Sequence, residues 1–408
     1  MSRERPECVV VGISDLWTFD DRRSEPHGRL DDAAVALRDG RVCWVGPSSL
    51  APEADAVVDA TGTIALPGLI DCHTHSLFAG SRADEFARRL AGATYAEILE
   101  AGGGILSSVR ATRAASSDTL AATLRARVDD MLTRGVTTVE VKTGYGLDER
   151  HELRLLTIIA DLRAGPRLVP TLLGAHAVPL EHRGHREAYV DLVVERMIPA
   201  AAPLSPHVDV YCDRGAYTLD EARRILQAAR DHGLVIKAHA EQIEHTGIAR
   251  VAAELGAASV DHLERVDAAG LAAMARAGTV AVLLPGARTY LHDPSPPVAA
   301  MRAAGVPMAV ATDFNPGSSP VRDLLTCATL ACLDMGLTIP EALRGITRNA
   351  ARALARPDLG WLGPGSAGDL ALFRPPPGEP ARAESLIQYL GGHHAAVVLR
   401  DGHVVHRA

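Results

Sequence analysis

Short apolar runs alternate with amphipathic stretches over most of the chain, from Pro67 onward. The runs are rich in Val, Ile and Leu, as buried strands are, whereas the stretches between them space their apolar residues three or four apart, as helices do. We predict strands at Leu66–His75, Val136–Lys142, Leu168–His176, Val208–Asp213, Val235–Ala240, Ala258–Leu263, Val280–Leu284 and Met308–Asp313. We predict helices between them, among them Leu120–Thr133, Leu219–His232, Gly247–Leu255 and Asp267–Arg276. This alternation predicts an α/β fold, a (β/α)8 TIM barrel with a parallel sheet.

The two ends of the chain show a different pattern, with short strands and no helices between them. We predict these strands at Cys8–Val11, Ala34–Leu37, Val42–Val45, Val57–Ala60, Asp369–Phe373, Ala396–Leu399 and His403–His406. The dipeptides Asp39-Gly40 and Asp401-Gly402 are typical of hairpin turns. We therefore expect both ends to form one small β-sandwich domain, with 1–63 and 365–408 as its two parts and 64–364 as the barrel.

Composition limits the classes of partner. The chain has 408 residues, of which 47% are hydrophobic, enough for a large core. Its net charge of −8 argues against nucleic acid or an anionic membrane surface as a partner. No apolar run reaches the length of a membrane-spanning helix. Lysine occurs only at positions 142 and 237, which we interpret as composition bias.

Cysteine usage and the first residues bear on the compartment. The six cysteines show no CxxC spacing, so we expect reduced, buried thiols rather than disulfides. The segment Met1–Pro6 lacks the apolar core of a signal peptide. Both observations predict a cytoplasmic protein.

Polar side chains stand at the predicted carboxyl ends of six barrel strands. His73 and His75 are two residues apart at the end of the first strand, so their side chains project from one face and can reach one metal ion. The carboxyl ends of barrel strands share one rim, where the chemistry of such folds is found. The further polar strand ends are Lys142–Tyr145, His176, His239–Gln242, Asp261–Glu264 and Asp313–Ser319. So many polar strand ends on one rim favour a metal site over isolated structural histidines.

The number of metals follows from the available ligands. Three histidines and one carboxylate would bind one metal ion and leave a coordination position open for water. The metal would lower the pKa of that water. Strand four ends in Tyr211-Cys212-Asp213 and lacks the lysine whose carbamylated form bridges two metals in binuclear relatives of this architecture. We therefore predict one metal ion.

At this level of detail the chain resembles the amidohydrolase superfamily and, within it, the imidazolonepropionases of histidine degradation. The match runs from about Ile64 to Gly368. It rests on Pro67-Gly-Leu-Ile-Asp-Cys-His-Thr-His75, Phe78-Ala-Gly-Ser-Arg82, Gly102-Gly-Gly-Ile105, Val109-Arg-Ala-Thr-Arg113, Lys142-Thr-Gly-Tyr-Gly-Leu147, Leu173-Gly-Ala-His-Ala-Val178, His239-Ala-Glu-Gln242, Asp261-His-Leu-Glu264 and Ala311-Thr-Asp-Phe-Asn-Pro-Gly-Ser-Ser-Pro320.

The resemblance implies an activity and a set of site residues. Such enzymes hydrolyse the ring amide of 4-imidazolone-5-propanoate to N-formimidoyl-L-glutamate, the third step of L-histidine degradation. One Zn²⁺ or Fe³⁺ per subunit would be held by His73, His75, His239 and Asp313. Substrate or product would be bound by Arg82, Tyr145, His176, Gln242, Asn315, Gly317 and Ser318, with His262 beside the metal-bound water. The family also implies a homodimer.

The chemistry of these residue types agrees with those roles. An arginine fork such as that of Arg82 is the usual partner of a carboxylate, here the propanoate. The turn at 315–318 offers N–H groups for a second carboxylate or the ring amide. His176 and His262 are candidate donors to the carbonyl oxygen, and Asp313 is a candidate proton shuttle to the leaving nitrogen. Whether Asp313 or His262 carries that proton stays open.

Two other functions fit parts of the pattern. A deaminase of a nitrogen heterocycle would share the metal set, but such enzymes tend to carry Glu after the strand-five histidine, where this chain has Gln242. An amide cannot shuttle a proton, although imidazolonepropionases tolerate either residue. A non-catalytic barrel protein would be expected to lose metal ligands, and none is missing from this sequence.

Overall fold

The computed structural model describes residues 5–93, 97 and 102–408. Residues 1–4, which belong to the predicted N-terminal part and to the segment without a signal-peptide core, lie outside the described residues. The strands are β1 (Cys8–Trp17), β2 (Arg29–Arg38), β3 (Arg41–Pro47), β4 (Ala56–Asp59), β5 (Ile64–Pro67), β6 (Leu69–Asp71), β7 (Val136–Lys142), β8 (Arg167–Ala175), β9 (His207–Cys212), β10 (Val235–Ala240), β11 (Ser259–His262), β12 (Val280–Leu283), β13 (Met308–Val310), β14 (Leu370–Phe373), β15 (Ala395–Arg400) and β16 (His403–Arg407).

The helices are α1 (Ala83–Leu90), α2 (Ile105–Ala114), α3 (Ser117–Thr133), α4 (Glu149–Asp161), α5 (Arg186–Leu192), α6 (Ile198–Ala201), α7 (Leu219–Asp231), α8 (Ile248–Glu254), α9 (Ala268–Ala277), α10 (Pro285–Leu291), α11 (Val298–Ala304), α12 (Leu324–Met335), α13 (Ile339–Gly345), α14 (Arg348–Ala353) and α15 (Ala383–Gln388). Helix α7 begins at the predicted Leu219 because Thr218 and Glu221 form a capping box.

Strands β6 to β13 form one parallel sheet in chain order, which confirms the predicted barrel. The sheet closes just beyond its first and last strands, where Thr74 forms a parallel bridge with Phe314. There the N–H of Asp313 donates to the carbonyl of His73 at 3.0 Å, and the N–H of His75 donates to that of Phe314 at 2.9 Å. The closure itself therefore brings the two histidines and the aspartate side by side.

The two chain ends share a second sheet, as the fold prediction requires. Its eight strands are hydrogen-bonded in the order β16-β15-β14-β5-β1-β2-β3, with β4 beside β1, and β14 pairs antiparallel with β5 to join the ends. The predicted first barrel strand divides at Gly68 between the two sheets. A β-carbon there would overlap the side chain of Thr137, so only glycine allows this close approach.

Side chains in the barrel strands alternate between two environments. In β7, Val139 and Val141 belong to the apolar cluster between sheet and helices, together with Leu124 and Val128 of α3. The intervening Glu140 and Lys142 are fully buried and contact charged groups of other barrel strands, so they face the interior of the barrel. The barrel interior is therefore charged below the rim.

Two further expectations are checked by the fold. No helix in the ranges that the structure describes is long and apolar enough to cross a bilayer. All six cysteines are free thiols; Cys72, Cys212 and Cys327 are buried, whereas Cys8, Cys43 and Cys332 are half-buried.

Candidate metal centre

The two histidines that follow β6 face a carboxylate from the other side of the barrel closure. His73 and His75 are buried, and their ring centroids lie 5.3 Å apart. Oδ1 of Asp313 lies 3.4 Å from Nε2 of His73 and 3.5 Å from Nε2 of His75. The structure thus brings three of the four predicted metal ligands together.

His239, in β10, is the fourth. Its Nε2 lies 3.2 Å from Nε2 of His75, and the ring of His262 lies 5.5 Å from its own. The possible ligand atoms of His73, His239 and His262 lie within 4.8 Å of one another, as do those of His73, His75 and Asp313. Among the described residues these overlapping groups are the only candidate metal clusters.

Two of the rings are held from behind by buried carboxylates to which the sequence analysis gave no role. Nδ1 of His73 donates to Oδ2 of Asp261 at 2.6 Å, and Nδ1 of His239 lies 3.0 Å from Oδ2 of Asp209. Such contacts turn Nε2 of each ring toward the centre, as in known metal sites. The signal in the sequence was a single Asp inside each apolar strand, because a buried charge requires a partner.

Both lysines of the chain lie among these carboxylates and are fully buried. Nζ of Lys142 lies 2.6 Å from Asp209 and 3.0 Å from Glu140, and Nζ of Lys237 lies 2.8 Å from Glu140. Burial alone would raise the pKa of Glu140, but the two lysines outweigh it and lower that pKa. Composition bias does not explain why both lysines of the chain lie in the barrel interior beside buried carboxylates.

The protonation of the cluster suits a metal ion. Burial, followed by neighbouring cationic groups, holds the pKa values of His73, His75 and His262 well below their usual range, so these rings are neutral near pH 7. Neutral imidazole is the form that binds metals. Nε2 of His73 is buried without a hydrogen-bond partner, although it faces the centre. The donor set therefore fits one metal ion bound by nitrogen and carboxylate oxygen.

His176 and Tyr145 form one wall of the site. The ring of His176 stacks on that of His75 at 5.0 Å, and the Tyr145 ring lies 5.8 Å from His176. Nδ1 of His176 contacts the carbonyl of Gly144 at 3.1 Å, and a carbonyl can only accept, so Nδ1 carries the hydrogen. Burial lowers the pKa of His176 to about 3, so the neutral ring presents Nε2 as an acceptor.

Glu152 fixes the loop that carries Tyr145, a role the sequence analysis missed. Its buried carboxylate accepts hydrogen bonds from the N–H groups of Gly144, Gly146 and Leu147 at 2.7 to 3.2 Å. Burial raises the pKa of the Tyr145 phenol, as does the nearby Asp313, so Tyr145 is a neutral hydroxyl at the site.

Arg82 lies at the outer edge of the site, beside a cavity of about 400 Å³ that Phe78, Phe86, Tyr290 and Phe314 also line. Its guanidinium donates to Glu85 at 2.8 and 2.9 Å. Glu85 in turn accepts from the N–H of Gly104 at 3.2 Å. The Arg82 fork is therefore held in one orientation.

The turn at 315–318 is organised by Asn315. Its Oδ1 accepts hydrogen bonds from the N–H groups of Gly317 at 2.8 Å and Ser318 at 2.7 Å. Its Nδ2 donates to the carbonyl of Asp313 at 2.7 Å. The backbone N–H groups predicted to be open are thus already occupied, and the Asn315 amide and Ser318 hydroxyl are hydrogen-bonded to each other.

Three polar residues that follow β10 and β11 lie in different environments. Gln242 accepts from the Tyr211 hydroxyl at 3.3 Å and donates to Asp293 at 3.1 Å. Glu241 turns away and accepts from the N–H of Gly247 at 2.7 Å. Glu264 is buried with both carboxylate oxygens unpartnered, 4.0 Å from Nδ1 of His262. The sequence analysis gave Glu264 no role.

The backbone is unusual at these strand ends. Glu241, His262 and Asp313 have φ values of 57°, 78° and 51°. Non-glycine residues rarely adopt this left-handed region, and such strain concentrates at functional sites.

Comparison with known proteins identifies the family. The family model described as the amidohydrolase family matches residues 64–405. The imidazolonepropionase of Cupriavidus pinatubonensis is 47% identical over 391 residues, 93% of this chain and 91% of that protein. That of Caulobacter vibrioides is 50% identical over 355 residues, 85% of this chain and 88% of that protein. The chain belongs to the imidazolonepropionases, within the amidohydrolase family. The predicted family and hydrolase class are confirmed.

Solved structures share the fold of this imidazolonepropionase family member at lower identity. A triazine hydrolase variant superposes with a TM-score of 0.77 at 22% identity, covering 98% of this chain and 94% of that one. A zinc-bound adenosine deaminase from Xanthomonas campestris gives 0.74 at 18% identity, covering 98% and 93%. These likenesses support the barrel and its accompanying sheet.

Proposed function

We propose that the chain hydrolyses the ring amide of 4-imidazolone-5-propanoate to N-formimidoyl-L-glutamate with one Zn²⁺ or Fe³⁺. The observation that carries this proposal is the convergence of His73, His75, His239 and Asp313 in a chain of this family. A metal bound by these groups would polarise the carbonyl and make water acidic enough to ionise near neutral pH. We propose one ion because β9, the fourth barrel strand, ends in Tyr211-Cys212-Asp213 and has no lysine that could bridge two metals as a carbamate.

The reaction needs one proton transfer from water to nitrogen. Water adds to the ring carbonyl carbon, the carbon–nitrogen bond breaks, and the released nitrogen takes the proton that the water gave up. Asp313 lies between the two histidines of strand one and is the group we assign to that transfer. His262, whose Nδ1 has no hydrogen-bond partner, is assigned the donation from Nε2 to the carbonyl oxygen.

The role expected of His176 changes. Because the Nδ1 hydrogen contacts the Gly144 carbonyl, the neutral ring has no hydrogen on Nε2, and we no longer assign it donation to the developing oxyanion. We assign His176 to accept an N–H of the substrate ring, with the Tyr145 hydroxyl beside it. His176 is then a substrate-binding residue.

The substrate carboxylate is assigned to the outer edge. Arg82 is held by Glu85 beside the turn of Asn315, Gly317 and Ser318. An arginine held in one orientation loses less freedom when it binds a carboxylate, and the hydrogen bonds are charge-assisted. Gln242, two residues beyond β10 and hydrogen-bonded to Tyr211, would contact the ring side of the substrate.

Two measurements test the proposal. Purified protein should contain about one equivalent of zinc or iron, as expected for an open mononuclear site. Incubation with freshly prepared imidazolone propanoate should bleach its ultraviolet absorbance. The His239→Ala variant should lose both metal and bleaching, whereas His232→Ala, at an exposed position after α7, should keep both. Two metal equivalents would exclude the mononuclear site, and ammonia release from a nitrogen heterocycle without bleaching would favour a deaminase.

We also propose a cytoplasmic homodimer. The six free thiols support the compartment, and the dimer rests on the family resemblance. Sedimentation equilibrium of the purified protein should give twice the 43.1 kDa chain mass, and a monomer mass would contradict the dimer.

A further inference from the structure

The charged groups beneath the histidines include both cations and anions, and the two cations are not equivalent. We propose that Lys142 is a positioning residue that fixes the carboxylates of Asp209 and Asp261, and through them the rings of His239 and His73. This inference rests on the proposed metal site, because it concerns how the metal-facing nitrogens are held in place.

The first half of the arrangement runs through Asp209. Nζ of Lys142 donates to Oδ2 of Asp209 at 2.6 Å, and the same oxygen lies 3.0 Å from Nδ1 of His239. The three groups come from β7, β9 and β10, and all are buried. One oxygen therefore accepts from the ammonium and lies within contact distance of the imidazole nitrogen, so losing Lys142 would release the carboxylate that faces the His239 ring.

The second half runs through Asp261 of β11. Its Oδ2 accepts from Nδ1 of His73 at 2.6 Å and lies 3.7 Å from Nζ of Lys142. Oδ1 of Asp261 accepts from the Ser259 hydroxyl at 2.6 Å, which leaves Oδ2 to the lysine and the imidazole. Lys142 thus stands between the two carboxylates that hold two different metal ligands.

Lys237 has the same burial and charge and shares Glu140 and Asp261 with Lys142, but it does not pair with Asp209. Its Nζ donates to Glu140 at 2.8 Å and to the carbonyl of Cys72 at 2.9 Å, and it lies 3.9 Å from Asp261. Among the ion pairs of the described residues, Lys237 has none with Asp209. It is therefore a natural control for the loss of a buried cation.

The physical consequence of losing Lys142 follows from the charges. The Lys142 ammonium binds Asp209 at 2.6 Å, whereas Asp261 lies 3.7 Å from it and 3.9 Å from the ammonium of Lys237. In this interior without exposed surface, loss of Lys142 leaves Asp209 without its cation and strengthens its repulsion of Asp261. The Oδ2 atoms of Asp209 and Asp261 would then move away from the positions in which they orient the rings of His239 and His73. Because metal affinity depends on where Nε2 points, the metal should be held less tightly.

A charge-conserving pair of variants tests this. Each lysine is replaced by Gln together with Glu140→Gln, so Lys142→Gln/Glu140→Gln and Lys237→Gln/Glu140→Gln both keep the net charge of the wild-type cluster. Folding is verified by circular dichroism, and release of zinc to a chromogenic chelator is timed. We expect release about 10- to 100-fold faster than wild type for the variant that lacks Lys142, the usual effect of losing such outer contacts, and within about threefold for the other.

A spectroscopic readout accompanies the kinetics. With Co²⁺ in place of zinc, the variant that lacks Lys142 should show an altered visible absorption band, because the ligand geometry changes, whereas the variant that lacks Lys237 should match wild type. Equal zinc release by the two double variants would overturn the inference while leaving the metal site intact. Absence of metal from the wild-type protein would instead overturn the proposed function.

A third variant covers a failure to fold. Lys142→Arg keeps the charge, but the planar fork cannot replace one compact ammonium between two carboxylates. We expect about tenfold faster zinc release from this variant, in the range seen when outer contacts of a metal site are disturbed. Release at the wild-type rate would overturn the inference.

Discussion

The guanidinium of Arg82 packs directly against Gly317, and a β-carbon at position 317 would overlap Nη1 of the arginine. The glycine has no left-handed φ, so its backbone accepts an alanine. What Gly317 provides is therefore space for the arginine and not conformational freedom. This contact joins the loop after the first barrel strand to the turn after the last one.

Gly317→Ala should displace the flexible end of Arg82 and so weaken substrate binding, without unfolding the protein.

Arg82→Lys should weaken the same binding step, because lysine lacks the bidentate fork of arginine. For Arg82→Lys we expect KM to rise by about 30-fold, equivalent to about 2 kcal/mol for a hydrogen bond between charged groups, with a smaller change in kcat. Steady-state kinetics by ultraviolet absorbance measure both.

Matched controls separate this effect from general damage. Arg88→Lys makes the same chemical change at an exposed position of α1, and Gly184→Ala adds a β-carbon that meets nothing within 4 Å. Both should leave KM unchanged. If Arg82→Lys lowered kcat at constant KM instead, Arg82 would not be the partner of the substrate carboxylate.

Gln242 and Asp293 should show an energetic coupling. The Gln242 amide donates to the Asp293 carboxylate at 3.1 Å, so Gln242→Glu would place two carboxylates in contact. We expect this variant to lose about 2 kcal/mol of stability, the scale of a hydrogen bond to a charged group. Adding Asp293→Asn should restore most of it, because the new amide donates to Glu.

A double-mutant cycle of thermal unfolding, with kcat/KM measured in parallel, provides the check. The control is Gln227→Glu, an exposed position on α7 whose partner is Asp231 in the next turn. Strictly additive effects of the changes at 242 and 293 would show that the contact carries no coupling.

His207 should make the fold sensitive to acid. Burial lowers its pKa to about 4 in the folded protein, against about 6.5 in an unfolded chain. Between these pH values the unfolded chain binds more protons, so stability falls as the pH drops from 6.5 to 4, by about 3 kcal/mol for this residue. Above pH 6.5 the ring is neutral in both states and contributes no pH dependence.

His207→Gln should remove that contribution. The amide can still donate to the Leu354 carbonyl that Nε2 of His207 contacts at 3.1 Å. Free energies of unfolding at pH 4 and pH 7 should differ less in this variant than in wild type, by about 3 kcal/mol. His232→Gln, at an exposed site, is the comparison variant. Identical pH profiles for wild type and His207→Gln would contradict the assignment.

The sequence by itself determined the barrel, its accompanying strands from both ends, the family, and the residues His73, His75, His239 and Asp313 as a predicted ligand set. These features are local: strand and helix periods involve neighbouring residues, and a histidine at a strand end reaches a rim that all strands share. The division of the first predicted strand at Gly68 was not readable, because it depends on how closely β7 approaches that glycine.

Only the tertiary structure decided what holds the ligands. His73 and Asp261 are 188 residues apart, and Lys142 and Asp209 are 67 apart, so no local pattern joins them. In the sequence the two lysines were merely rare; in the barrel they are buried cations, each committed to particular carboxylates. Likewise, the tautomer of His176 depends on the carbonyl of Gly144. The partners of a buried charge are set by which strands are adjacent in space, and closure of the barrel determines that.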